Sequence, residues 1–589
     1  MRIPFFLLGL LVASRGWAEP DTFGLGTGRN NSLRIETAGV VLNRYTLLIA
    51  DVAPGASDLT VSDTTGFTAG DLVLVHQSTG LSPAPASGAQ GGIDLNGSPV
   101  GRFEYARVAS VSAGVLQLTA PLLYGHAARM AQVVRVPEFV ELEVRSGASL
   151  RAAPWNGEVG GILAVLVTGR LRNDGVITVE GAGFRGGAFL SHASLNGCTG
   201  LDEPVTSGGA YKGEGLVAGR FGTASGRGNL ANGGGGGICH NAGGGGGGHA
   251  GSGGAGGRSG PGDGERDVGG LGGASLVYQP NERLLFGGGG GAGGGNEGVG
   301  TGGGAGGGLM LIRAGEVRGG GRFRAGGATP PPTPGDDGAG GGGAGGAISI
   351  RATQELECGA VEAPGGAGGD VSETAFPLGP GGGGGGGVVL LQGTSILCSS
   401  SVLAGAPGRV ATDGGTHGAG PSAGAGGTAT GSARVFSSSF RMPGSPVLTL
   451  PVDGTPRVGP RPRIEGQAEP GVPYVLLVLD GALLARVVPD AEGRFAYDVA
   501  SELSLGSHEL RAYAELLGVH STGSASNRFV VVKESEVPLP PELLPVDLQV
   551  GCGCGSAPGM GLWVGTLLLA AWLRRATARR RAGGTPRSA

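Results

Sequence analysis

Aromatic and charged residues are both scarce in this 589-residue chain, at 5% and 15%. The first shortage argues against an aromatic-rich globule, and the second against a highly charged disordered chain. Residues 21–206 carry no helix signal of useful length. A basic surplus is missing too. The formal charge is −4, and it becomes −12 once residues 1–18 and the segment from Gly555 onward, which hold eight arginines and no acid, are set aside. So acidic a body argues against a nucleic-acid partner, whose phosphates need a basic surface.

Chemistry-bearing motifs are equally thin. No GxxxxGK[ST] phosphate loop exists, since Lys212 in AYKGEG has the wrong flanks. GxGxxG matches carry no information inside glycine tracts. A single GGAGGD at Gly365–Asp370 lacks the tandem copies that calcium-binding nonapeptides need, and reads as a turn. Cys239 and His240 lack the second ligand pair that zinc requires. His76 and His126 stand alone and read as surface or turn residues, and Asp71 as a turn residue. No Ser/His/Asp set or carboxylate pair stands out, so we expect no enzyme, no cofactor and no metal site.

What is abundant is glycine, 132 residues of it, several times the usual share of roughly 7%. Between about Gly208 and Gly427 it alternates with short apolar bursts. GGGLMLIRA places Arg313 where GGAISIRA places Arg351 and GGGVVLLQ places Gln392, and the earlier GGILAVLVTG shares this grammar. Each unit is a glycine tract, an apolar strand, a turn, a second short strand, then glycine. One unit cannot bury its apolar strand, whereas stacked units can, so the spacing predicts a β-solenoid. Runs such as LMLI and VVLL, apolar on consecutive positions, require cover on both faces.

Glycine is entropically costly to order. The tracts therefore read either as disordered linkers or as threads packed backbone to backbone, where only glycine permits the approach. Regular strand spacing and the embedded Ile238–Asn241 favour threads. Allowing a one-residue gap, Cys358 and Cys398 fall at the same point of successive repeats, and rungs about 4.8 Å apart suit a disulfide. We expect that bond, with Cys198–Cys239 as a weaker second.

The ends address the chain outward. MRIPFFLLGLLVASRGWA has the layout of a secretory signal with cleavage after Ala18. Export permits disulfides. Residues 446–533 form a meander broken at DG, DAEG and LG, which reads as a small sandwich. At the carboxyl end, Gly559–Leu573 makes an apolar helix of about 22 Å, short for a span. Arg574 and the arginines after it would hold that end cytoplasmic.

Three resemblances follow. With Asp480–Gly481, DAEGRFAY and LGSHELRAYA, residues 446–533 resemble bacterial immunoglobulin-like repeats, which usually space or present other domains. Cys552, Cys554, the apolar helix and Arg574–Arg581 resemble the MYXO-CTERM sorting signal of myxobacterial exported proteins. That likeness implies transient inner-membrane anchoring, processing near Cys552 or Cys554 by a sorting protease, lipidation there, and display at the cell surface. TFGLGTGRNNSL, FTAGDLVLVHQSTG, FEYARVASV and NGGGGGICHNAGGGGGG resemble myxobacterial glycine-rich surface proteins of the adventurous gliding motility AgmC type.

The expected architecture is all-β. It comprises a signal peptide (1–18), an N-terminal β domain (19–138), a glycine-rich solenoid-like region (139–440), an immunoglobulin-like sandwich (446–533), a linker (534–551) and the sorting signal (552–589) with its transmembrane helix (559–573). The expected role is a nonenzymatic surface scaffold or adhesin with a link to gliding, partnered by a surface polysaccharide or another envelope component. A polysaccharide-active enzyme and a plain envelope-matrix protein are the alternatives. A cluster of acids and aromatics on one solenoid face would favour the enzyme, and Glu316, Glu355, Glu357 and Glu362 look scattered in the sequence.

Overall fold

The computed structural model describes residues 20–192, 200–238, 241–258, 269–372, 378–411, 414–416 and 431–537. The expectations at Ala18, Cys198–Cys239, Cys552, Cys554 and the 559–573 span lie outside these residues. Among the described residues the only helical elements are two 3₁₀ turns, Val205–Ser207 and Glu534–Glu536, and no helix is long and apolar enough to cross a membrane.

A 13-stranded parallel sheet organises the chain. Its main ladder runs Leu33–Ile35, Leu142–Val144, Ile162–Asn173, Leu309–Arg318, Ala347–Ala352, Val388–Gln392 and Ser432–Phe436. The burst alignment holds residue for residue, because Arg313 pairs with Arg351 and Arg351 with Gln392. A second ladder stacks Ser149–Arg151, Val176–Thr178, Arg322–Arg324, Glu355–Glu362 and Ser395–Ser401. The solenoid starts earlier than position 139. Its first rung is Leu33–Ile35, and the rest of the N-terminal part is an insertion forming a six-stranded antiparallel sheet.

Consecutive apolar positions are covered on both sides, as their pattern requires. Met310, Ile312, Ile348, Ile350, Val389 and Leu391 face the solenoid interior with Leu356, Phe323 and Val361 of the second ladder. Leu309, Leu311, Ala347 and Val388 face the other way, towards Leu72, Leu74, Trp155, Phe184 and Phe286. The antiparallel insertion is thus the lid on the ladder's outer face.

Each coil leaves the second ladder along one glycine thread and returns to the first along another. At the far end single bridges join Thr333, Val371 and Val410 of successive coils. Threads from the long excursion between Gly187 and Gly302 fill the space between. Their hydrogen bonds repeat every third residue. Gly243 and Gly246 donate to Gly257 and Gly254, Gly244 and Gly247 to Ala339 and Gly342, and Gly245 and Gly248 to Gly235 and Asn232, at 2.7–3.0 Å. A three-residue turn without internal hydrogen bonds is the signature of polyproline-II-like helices. Here most tract amides, including all six from Gly243 to Gly248, donate to a carbonyl of a neighbouring thread, which satisfies backbone polar groups although no side chain is present. The tracts are ordered threads rather than linkers.

Residues 447–531 form a three-stranded and a six-stranded sheet around one core containing Leu448, Ile464, Phe495, Val475, Leu477, Leu510 and Phe529. Asp480 and Gly481, at φ 51° and 84°, make the tight turn between Tyr474–Leu479 and Ala482–Val487.

Candidate functional site

Parallel stacking places residues from distant repeats side by side, and on the solvent face this builds a ladder of charge. Arg34 lies opposite Glu143, Glu143 opposite Arg172, and Arg172 opposite Arg318. Arg318 reaches Glu316 at 3.2 Å, Glu357 at 3.0 Å, and Glu355. Arg170 bonds the other oxygen of Glu316. Below it Arg324 pairs with Glu180 at 2.9 Å and Glu362 at 3.7 Å. A groove of about 310 Å³ opens at one end between Arg34, Glu141, Glu143, Arg170 and Arg172.

Three of the acids that look scattered in the sequence, Glu316, Glu355 and Glu357, therefore meet at Arg318, while Glu362 sits with Arg322 and Arg324. Strand stacking brings Glu357 to Arg318 across 39 residues. Each is matched by an arginine, and the hydrogen bond from Arg170 is the main cause holding the Glu316 carboxyl below its ordinary range. Arg145 does the same for Glu143. A general acid needs the opposite shift, and a glycoside-cleaving pair needs one carboxyl kept protonated. The only aromatic residue on the second-ladder strands is Phe323, which is buried in the core. What this face offers is a fixed array of guanidinium donors and carboxylate acceptors, suited to many hydroxyls.

Cys358 and Cys398 are bonded, with Cα atoms 4.8 Å apart, and tie two rungs of the second ladder. The one-residue offset in the alignment is a register shift between Glu357 and Ala360.

His76 and His126 are corrected: neither is on the surface. His76 is buried on a strand, and its ring nitrogens contact Ser78 Oγ at 2.9 Å and the Leu284 carbonyl at 2.8 Å. Burial pushes its pKa down to about 4. His126 is buried against Glu104 at 3.2 Å. Among the described residues no group of three potential ligands is placed to hold a metal. Asp71 does hold its turn, accepting from the Thr68 amide, and it also pairs with Arg135 at 3.0 Å. Asp370 accepts from the Arg409 amide at the coil's far turn. Lys212 is buried, and its ammonium donates to the exposed Asp202, to Ser87 Oγ and to the Leu201 carbonyl.

A second feature had no sequence signal. Asp21 is buried against Arg313, whose Nη1 donates at 2.9 Å. The guanidinium also lies 4.9 Å from the Tyr105 ring and 5.2 Å from that of Phe440. The His520 amide donates to the Asp21 carbonyl at 2.9 Å, and Arg486 bonds Glu282 at 2.8 Å. The sandwich is thereby docked on the solenoid and the N-terminal segment. Beside this junction lies a cavity of about 250 Å³ lined by Arg102, Tyr124, Glu282, Arg486 and Glu515 among others.

No protein-family model matches the chain, and no curated protein does. Two solved structures are similar over most of their length. The tailspike protein gp49 from Pseudomonas phage LKA1 is 10% identical, with 85% of this chain and 86% of that one covered and a TM-score of 0.13. The Gp54 tailspike of Acinetobacter baumannii bacteriophage AP22, in complex with A. baumannii capsular saccharide, is 8% identical, with coverage of 82% and 88% and a TM-score of 0.14. Scores this low carry no argument about this chain's fold or activity.

Proposed function

We propose that the protein is an exported β-solenoid scaffold whose charged lateral face engages a polysaccharide without cleaving it. The arrangement around Arg318 carries this reading: three carboxylates, Glu316, Glu355 and Glu357, meet its guanidinium on a rigid sheet, and Arg170 holds the Glu316 carboxyl below its ordinary range. Groups of both signs, set side by side, can donate to and accept from the hydroxyls of a polysaccharide. The AgmC-type resemblance, the cleavage at Ala18, the sorting signal around Cys552 and Cys554 and the immunoglobulin-like character of the sandwich belong to the same proposal. They put the scaffold at a cell surface, with a sorting protease and the membrane as partners during export.

A polysaccharide-active enzyme is the second reading, favoured by the gathering of Glu316, Glu355 and Glu357 around Arg318. Both readings require saccharide at that face. The test is co-sedimentation of the protein with a panel of bacterial surface polysaccharides, with reducing ends assayed in the same tubes. We expect retention that falls at least about tenfold in Arg318→Glu, which loses several charge-assisted bonds, with no reducing ends released. Released ends would support the enzyme, and absence of any retention would leave an envelope-matrix role.

A further inference from the structure

Arg313 and Arg351 are neighbours across adjacent rungs, both at most 6% exposed, with one buried carboxylate beside them. That carboxylate, Asp21, is taken by Arg313. Arg351 makes no ion pair among the described residues. Its Nη2 donates to the Leu517 carbonyl, its guanidinium lies 5.9 Å from the Phe440 ring, and its Nε has no hydrogen-bond partner. The Tyr105 hydroxyl, also buried, has none either. Both residues line a small cavity of about 20 Å³, together with Arg313, Asn281, Ser349 and Gly518.

The charge does not balance. Two guanidiniums and one carboxylate leave one positive charge in a dehydrated site, and an uncompensated buried charge is strongly destabilising. Arginine does not escape by losing its proton in proteins. Burial, with Arg313 as the next cause, pulls the Arg351 pKa down to about 9, which still leaves it charged at neutral pH. Aromatic faces offset only part of such a cost. A water would satisfy the unused donors but not the charge. The void exceeds the roughly 10–15 Å³ that one water needs, which leaves room for one small ion.

We propose that this void is a chloride site, in which a single halide accepts from Arg351 Nε and the Tyr105 hydroxyl and supplies the missing negative charge. The ion would then fasten the sandwich, through the Leu517–Gly518 turn, to the solenoid rungs and the Asp21 segment. This inference is independent of what the lateral face binds.

The test uses the full exported chain, with thermal unfolding followed in sodium chloride and in sodium gluconate at equal ionic strength. Chloride should raise the midpoint by a few degrees in a saturable way, as expected for a ligand of the folded state. Arg351→Met should abolish the difference while remaining folded, since it removes the charge together with the need for its counter-ion. Tyr105→Phe should weaken it. Crystals soaked in bromide should show an anomalous peak between Arg351 and Tyr105. Equal midpoints in the two salts, a chloride effect that persists in Arg351→Met, or an ordered water in the void with no bromide signal would each overturn the proposal.

Discussion

Gly341 backs onto Gly245 so closely that a Cβ at position 341 would overlap the Gly245 carbonyl oxygen. The same holds along the bundle, where Gly343 faces Ala305, Gly384 faces Gly343 and Gly247 faces Gly288. Glycine is required there by distance and not by backbone dihedral, since none of these residues has a positive φ. Gly341→Ala should therefore destabilise the protein by about 2 kcal/mol or more, as overpacking against an immobile backbone does. Gly320→Ala is the control: nothing lies within 4 Å of its added Cβ, and its effect should stay within about 0.5 kcal/mol. Chemical denaturation of both variants checks this.

Cys358 and Cys398 close a sequence separation of 40 residues. In the chain-entropy picture such a loop is worth about 4 kcal/mol. The exported protein should show no free thiol at either position, and a Cys358→Ser/Cys398→Ser variant should unfold earlier and become protease-sensitive around Glu355–Ser401. Alkylation of either cysteine without prior reduction would contradict the pairing.

His249 is buried beside the threads, with Nδ1 2.6 Å from the Gly345 carbonyl and Nε2 2.7 Å from the Tyr278 hydroxyl. Burial pushes its pKa down to about 4, as it does for His76. An unfolded histidine takes up its proton near pH 6.5, so between about 6.5 and 4 the unfolded chain binds more protons than the folded one. Stability contributed by these neutral rings is complete above 6.5 and is lost as pH falls towards 4, by up to roughly 3 kcal/mol for each ring. Urea midpoints should drop over this window, and His249→Gln should flatten the dependence.

Asp21→Asn leaves Arg313 without its carboxylate. Breaking a buried pair on one side typically costs about 3–5 kcal/mol. Early unfolding should be confined to the junction of sandwich and solenoid, which limited proteolysis around residues 440–446 would reveal. A melting curve unchanged from the parent would contradict the buried pair.

The solenoid was legible because its strands are local and its spacing regular. The bursts at Arg313, Arg351 and Gln392 align by eye, and the cysteines follow from the same register. LMLI and VVLL announced cover on both faces, although not what supplies it. Two things were hidden for one reason, which is that parallel stacking joins residues with no local relation. Leu33–Ile35 meets Leu142–Val144 across a whole inserted sheet, so the first rung looked like part of a separate domain. Asp21 meets Arg313 at a separation of 292 residues. Glu355 and Glu357 join Glu316 at Arg318 only once rungs are stacked. His76 and His126 were misplaced because a lone histidine carries no signal of burial, and burial here comes from Leu284 and Glu104, far along the chain or across a turn.

Backbone amide hydrogen exchange in the tracts 243–248, 338–346 and 379–387 tests the central claim most directly. A bundle in which most glycine N–H groups donate to a neighbouring thread predicts protection of those amides in all three tracts comparable to that of strands Leu309–Arg318 and Ala347–Ala352. Exchange of these glycines at the rate of an unstructured peptide would contradict it.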